Sequence, residues 1–314
     1  MIDLLDRRLL FVTGKGGVGK TTVAAALADL AVKRGKRTLV VEMDAKGAVA
    51  DALDAAPLGF RPTEVQPGLF AMGMNTEDSL REYLKVVVHI PLVGRIGPLA
   101  RTFDFVADAA PGVKEILAIG KVCYEVREQN YDLVVVDAEA SGHIVAQIDA
   151  PRAIRELVHV GMVRDQTEWM LEILGDHQLT GLVAVTTPEE MPVIETIELV
   201  DKVRSTTAVD VAAVVANRVL PRWFDSADEA VFDALCDAEP QAVLASRVGA
   251  KVATVFSAAA LARSRRSMAT AHLDRLRSAL PRGVPMLLVP ELFSRAGGRR
   301  AVSLVADALG QELA

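Results

Sequence analysis

The chain has 314 residues, enough for one large domain or two small ones, and its 51% hydrophobic content with only 4% aromatics calls for a core of Ala, Val, Leu and Ile. Lys and Arg number 35 against 41 Asp and Glu, a net charge of -6, which provides no global field for DNA, RNA or an anionic bilayer. Two cysteines, Cys123 and Cys236, supply neither a disulfide framework nor a two-by-two zinc site and fit a reducing cytoplasm.

Met1 to Arg8 lacks an apolar signal core, so no export is expected. Leu9 to Thr13 then reads as a first strand, short and apolar. From Thr21 to Arg34 the residues Val23, Leu27, Leu30 and Ala31 share one helical face, and Gly35 supplies a C-terminal stop. Further strands are predicted at Arg37 to Val41, Asp132 to Val136, Gly181 to Val185, Val211 to Ala216 and Pro285 to Val289. Each is mostly apolar and followed by polar residues, Gly or Pro, as strands buried on both faces of a parallel sheet should be.

Two long excursions separate these strands. Residues from about Leu58 to Gln129 are rich in Pro, Gly and apolar positions and are expected to be mostly helical; Arg222 to Leu280 forms the second. Within the first, the longest apolar stretch, Val86 to Leu99, is broken by His89, Pro91, Arg95 and Pro98, so no membrane span is expected. The pattern predicts an α/β fold: one domain over residues 1–314, a doubly wound, mostly parallel sheet with helical insertions at about 58–129 and 222–280. Ligands then belong at the carboxyl ends of the strands.

The strongest motif is Gly14-Lys15-Gly16-Gly17-Val18-Gly19-Lys20-Thr21, which matches G-x-x-x-x-G-K-[ST] between a predicted strand and a predicted helix. The glycines let successive backbone N–H groups face an anion, and the helix N-terminus adds partial positive charge. Lys20 reaches the β and γ oxygens of a nucleoside triphosphate, and Thr21 can ligate Mg²⁺. Asp44 follows the second strand in Val40-Val41-Glu42-Met43-Asp44. A carboxylate there can orient an attacking water beside a γ-phosphate, or can serve as a turn or N-cap aspartate. Asp132-Leu133-Val134-Val135-Val136-Asp137 is an apolar strand ending in an acid, the pattern in which Asp137 would hold Mg²⁺.

The string Lys15-Gly16-Gly17-Val18-Gly19-Lys20-Thr21-Thr22 resembles the deviant Walker A loop of the P-loop ATPases that include ArsA, the eukaryotic tail-anchored-protein targeting factor, MinD, ParA and the nitrogenase iron protein. In that family the first lysine, here Lys15, crosses a dimer to the partner's nucleotide. Asp137-Ala138-Glu139-Ala140-Ser141-Gly142-His143 resembles the D-T-A-P-T-G-H switch of the ArsA branch, and Asp149-Ala150-Pro151 looks like that branch's downstream proline. Asp44 to Leu53 sits where the branch has D-P-A-H-x-L-S-D-A-F, which implies the water-activating role for Asp44; Ala45 and Gly47 depart from it. Pro111-Gly112-Val113-Lys114-Glu115 looks like the branch's P-G-x-x-E segment. Pro188-Glu189 and Asn217 match its adenine-side positions, and Pro290-Glu291-Leu292 resembles the loop over the base.

The resemblance implies a cytoplasmic, Mg²⁺-dependent ATPase whose site uses Asp44, Lys15 and Lys20 in catalysis. The loop from Gly14 through Gly16, Gly17, Val18, Gly19 and Thr21 to Thr22, with His143, Asn217, Pro188 and Pro290, would hold ATP; Thr21 and Asp137 would hold the metal. It implies a homodimer or a heterodimer with a paralogue, closing around nucleotide to switch a partner or a hydrophobic or membrane-protein client. The alternative is a slow or vestigial ATPase acting mainly as a cargo-binding or paralogue-partner module.

No nucleic-acid partner is expected, and residues Ala301 to Ala314 offer no basic membrane face. The zinc-clamping C-x-x-C of the targeting factor and the metalloid-binding cysteines of the arsenite pump have no counterpart near Ser257 to Arg266 or at Cys123 and Cys236, which are expected to fill the core. Val86 to Leu99 with Leu157, Val160, Met162, Met170 and Leu171 falls where the targeting factor builds its client groove; such Met-containing apolar faces are more often ordinary core. Arg263, Arg265, Arg266, Arg275 and Arg277 form either an anion-binding cluster or a solvated helix face.

Overall fold

The computed structural model describes residues 3–44, 46–74, 113–157, 162–249, 251–293 and 296–314. Eight strands form one sheet: β1 (Leu9–Gly14), β2 (Thr38–Glu42), β3 (Thr63–Gln66), β4 (Leu69–Gly73), β5 (Leu133–Ala140), β6 (Thr180–Thr186), β7 (Val211–Val219) and β8 (Met286–Pro290). Their order is β3-β4-β2-β5-β1-β6-β7-β8, and only the edge strand β3 runs antiparallel to its neighbour. Every residue of β1, β2 and β6 is buried, the mark of strands covered on both faces.

The period-two alternation of the strands sorts their side chains into two layers. Leu10, Val12, Val40, Val135, Val183 and Val215 pack on one face with helices α1 (Lys20–Lys33), α2 (Ala48–Ala52) and the C-terminal helix Gly298–Glu312. Leu9, Phe11, Leu39, Val41, Val134, Val136 and Leu182 pack on the other, against α3 (Val113–Arg127), α4 (Ser141–Leu157), α5 (Met162–Gly175) and α6 (Glu190–Thr206). This is a doubly wound sheet. Because β1 lies between β5 and β6, the loop leaving it opens at the crossover point where such sheets bind ligands. Phe11 at its centre is fully buried, and truncation to Ala would cost about 3–5 kcal/mol.

The first excursion does not open as a helix. It opens as the hairpin β3–β4, with Gly68 turning at φ +80° and β4 pairing in parallel with β2 from Thr38↔Leu69 to Glu42↔Gly73. The run Leu69-Phe70-Ala71-Met72 is apolar because β4 is an inner strand; its lack of alternation concealed it. Helix α3 follows at the excursion's end. Val86 to Leu99, Pro111, Gly112 and Val160 lie outside the described residues.

The second excursion forms α7 (Ser226–Leu235), α8 (Ala238–Val248) and α9 (Val252–Ala279). Asp225 and Asp228 close a reciprocal capping box at the start of α7. No residue of α8 is buried, and α9 buries only Ala269, Leu273 and Leu276, all in its second half. Helix α10 (Gly298–Glu312) then packs Val302, Val305, Ala306 and Leu309 into the α1 layer. Among the described residues no helix is long and apolar enough to cross a membrane.

Three side-chain expectations are resolved by packing. Cys123 is fully buried in α3, but Cys236 is exposed at the end of α7 and fills no core. Met170 is buried against Gly120, where an added Cβ would come within 2.8 Å of its Cε, so it belongs to the core and not to a groove. Three of the five arginines of α9 have partners within the chain: Arg263 pairs with Asp233 of α7 at 2.5 Å and covers the Phe232 ring, Arg266 donates to the Leu220 carbonyl, and Arg277 pairs with Asp274, while Arg265 lines a cleft with Pro188.

Candidate functional site

The loop between β1 and α1 is held at both ends by close approaches. Gly14 has φ +154°, and a Cβ there would lie 2.1 Å from the Val185 carbonyl oxygen; Gly19, at φ +95°, caps α1 where a Cβ would lie 2.4 Å from Asn217 Nδ2. Only glycine fits either position. Gly16 and Gly17 face open space. The buried Val18 points inward, and its carbonyl accepts from Asn217 Nδ2 at 2.8 Å, so the end of β7 braces the loop. Asn217 Oδ1 accepts from the Arg218 N–H at 3.0 Å, leaving the amide one N–H and one lone pair for a further partner.

Lys20 opens the first turn of α1 and donates to the Lys15 carbonyl at 3.3 Å. Burial lowers its pKa against the opposing pull of Asp137, and Lys46 lowers it further. Thr22 is half-buried on the next position of the turn. Thr21 Oγ1 donates to Asp137 Oδ2 at 2.6 Å, which joins the phosphate loop to the end of β5. Asp137 is 7% exposed, and its other oxygen, Oδ1, is buried with no hydrogen-bond partner among the described residues. Burial pushes its pKa up to about 6; the Thr21 hydroxyl and Lys20 oppose the shift, and Glu42 adds to it. A buried carboxylate with an unclaimed oxygen, beside a hydroxyl, is a hard oxygen donor set suited to Mg²⁺.

Strand β2 ends beside this acid, with Glu42 in register with Asp137. Glu42, only 3% exposed, accepts from the backbone N–H groups of Ala48 at 2.8 Å, Lys46 at 3.1 Å and Val49 at 3.4 Å, so it caps α2. Two residues on, Asp44 is exposed and ion-paired with Lys46. The hydrogen bond that Lys46 donates to Asp44, together with the charge of Asp44, raises the Lys46 pKa, with a smaller pull from Glu139.

Beyond Asp137, the Glu139 carbonyl accepts from Thr13 Oγ1 at 2.8 Å, and Glu139 Oε1 accepts from Gln147 Nε2 at 2.9 Å. The His143 side chain is 78% exposed, its Nδ1 3.9 Å from Glu139 Oε2. Lys15, at the loop's outer edge, is ion-paired with Glu195 of α6 in the same chain. Pro188 lines a cleft of about 510 Å³ at the ends of β6, β7 and β8, with Arg218, Leu220, His272, Glu291 and Phe293; Pro290 is the exposed last residue of β8.

The structure therefore brings together Gly14 to Thr22, Asp137 and Asn217, and sets Asp44 and His143 at the exposed rim. Sequence reasoning passed over Glu42 as a structural cap, Glu139 and Gln147 as an anchored pair, and Glu195 as the partner of Lys15. An acid closing an apolar strand just before Gly47 and a helix start is the signal that could have revealed Glu42.

Strand, glycine loop, helix and acid-ended neighbouring strand on a doubly wound sheet define a P-loop NTPase. The family model for anion-transporting ATPases matches residues 7–164 and 147–239. ATPase BagA of Mycobacterium tuberculosis is 31% identical over 232 residues, 70% of this chain and 68% of that protein. A Halobacterium salinarum protein bearing the name of an arsenical pump-driving ATPase is 28% identical over 255 residues, 74% of this chain and 38% of its own. An ATPase ASNA1 homolog of Entamoeba dispar is 26% identical over 251 residues, 68% and 76% of the two chains. The chain belongs to the anion-transporting, ArsA-like ATPase family and is an ATP hydrolase.

Proposed function

We propose that this ATPase binds ATP with Mg²⁺ in the loop from Gly14 to Thr22 and uses the nucleotide to close a dimer that switches a partner or client. The observation that carries the metal and nucleotide part is the Thr21–Asp137 contact with the unpartnered Asp137 Oδ1, directly under the N-terminus of α1. When bound, the metal would neutralise charge on the β and γ oxygens. Lys20 holds those oxygens from within the chain, Asp44 orients the attacking water, and Asn217, Pro188 and Pro290 flank the base.

The dimer part rests on Lys15. Its amine is not aimed into its own loop but is held outward by Glu195, with the two side chains 37% and 30% exposed. A surface ion pair of this kind is worth little, about 0–1 kcal/mol, so a γ-phosphate on a second chain can compete for the lysine. His143, exposed at the start of α4, and Asp44 carry γ-phosphate occupancy toward the helical insertions. The partner is a second copy or a paralogue.

Light scattering with ADP, and with ATP in a slow-hydrolysing variant, tests this. Lys15→Ala should keep ADP affinity but lose ATP-dependent association and most turnover. A Lys15→Ala protein that associates and turns over like wild type would refute the cross-dimer role.

A further inference from the structure

We propose that Glu139 is a second catalytic carboxylate, the group that takes the proton of the attacking water, with Gln147 as its positioning residue. The proposal rests on the loop's role as the ATP site. It starts from a departure: the branch signature D-T-A-P-T-G-H has alanine where this chain has Glu139. An acid two residues beyond a metal-binding aspartate, at the carboxyl end of a central strand, stands where the ligands of such a sheet bind.

Geometry separates this acid from its neighbours. Glu42 is spent on three backbone N–H groups, and Asp137 faces Thr21. Asp44 is tied through Oδ2 to Lys46, its side chain 50% exposed. Glu139 is fixed differently. Its backbone is pinned to β1 by Thr13 Oγ1, immediately before the phosphate loop, and its Oε1 by the buried Gln147. Its Oε2 has no hydrogen-bond donor among the described residues, the nearest ring nitrogen of His143 lying at 3.9 Å, and its side chain is 33% exposed.

One oxygen held and one open, at a water-accessible position, is what a proton acceptor requires. It is also near the phosphate end of the site. Thr13, which donates to the Glu139 carbonyl, directly precedes Gly14 of the phosphate loop. Lys46 feels the charge of Asp44 and Glu139 and in turn acts on Lys20, which places these four groups in one electrostatic neighbourhood.

In the step assigned to it, the water oxygen bonds to the γ-phosphorus while the bond to the bridging oxygen breaks and its electron pair leaves on ADP. The water proton passes to Glu139 Oε2 and from there to the released phosphate. Gln147 keeps Oε2 aimed by occupying Oε1.

The test measures kcat and KM for ATP with Mg²⁺, together with calorimetric binding of a non-hydrolysable ATP analogue. Glu139→Gln should bind the analogue as wild type does while kcat falls on the order of 100-fold or more. Glu139→Ala should regain part of its kcat on addition of formate, a recovery that a structural role would not produce. Gln147→Leu should lower kcat by a few-fold with KM unchanged. Wild-type turnover in Glu139→Gln overturns the proposal and leaves the ATP site standing. Analogue affinity lost in step with turnover, or no rescue by formate, overturns it too. If Lys20→Ala binds the analogue like wild type, the loop is not the site and both readings fall.

Discussion

The carboxyl ends of β2 and β5 carry matching acids that are employed in opposite ways. Glu42 and Asp137 are register partners, and both are almost fully buried. Glu42 is satisfied by three backbone N–H groups and serves the fold. Asp137 has a single hydroxyl donor, an unclaimed oxygen and a pKa pushed up to about 6 by burial. Burial alone does not distinguish a ligand from a cap. Incomplete satisfaction beside the phosphate loop is what sets Asp137 apart: an unpaired buried polar group costs about 1–3 kcal/mol, and here Thr21 and the N-terminus of α1 stand next to the open oxygen.

The largest effects should fall on the β5 side. Asp137→Asn should abolish Mg²⁺-dependent turnover, since the amide cannot supply the anionic oxygen. In the nucleotide-free protein the same change should raise stability, by about 1–3 kcal/mol, because it removes a poorly paired buried charge. Calorimetric melting without nucleotide, set beside an ATPase assay, measures both. Loss of turnover accompanied by loss of stability would mean that Asp137 is a cap like Glu42. Lys20→Ala is expected to abolish ATP binding by calorimetry, because the loop then has no same-chain cation on the β and γ oxygens.

Next in size is the outer acid of β2. Asp44→Asn should keep ATP binding and lower kcat by roughly 100-fold, through loss of the charge that orients water. Near wild-type turnover would leave Glu139 as the sole acid acting on the water. Glu42→Gln should do the reverse, with about 1–3 kcal/mol lost in denaturant unfolding and turnover per folded molecule nearly unchanged. A catalytic defect in Glu42→Gln without a stability defect would break the contrast between the two strand ends.

How much of this was readable in advance follows from where the interactions lie along the chain. The inner parallel strands other than β4, and the glycine loop, were legible because burial on both faces forces apolar runs, and close approaches at Gly14 and Gly19 force glycine. Asp137 was legible as an acid closing such a run. The β3–β4 hairpin was hidden, since β4 is too short and too apolar to be told from a helical segment. Glu42 was hidden because its partners are backbone groups. Lys15 meets Glu195 across 180 positions, a contact no local pattern encodes. Glu139 was inside the recognised signature, but its anchoring by Gln147 depends on how α4 leaves the strand. Cys236 misled because an apolar sequence neighbourhood at the end of α7 became an exposed helix end.

The smallest expected effect bears on Lys46, which stands between the two outer acids. Its side chain is 76% exposed, it is ion-paired with Asp44, and it feels Glu139. Exposed pairs are screened by salt, so Lys46→Met should leave stability unchanged. Turnover should respond more than stability, because removing this cation frees Asp44 and takes positive charge away from the γ-phosphate end of the site. The two consequences oppose each other, so a change in kcat of less than about tenfold is expected, with a weaker dependence of the rate on ionic strength than in wild type. If Lys46→Met instead lowers kcat as far as Asp44→Asn does, Asp44 acts only by holding this lysine. The outer acid of β2 would then be a tether, leaving Glu139 as the acid that meets water.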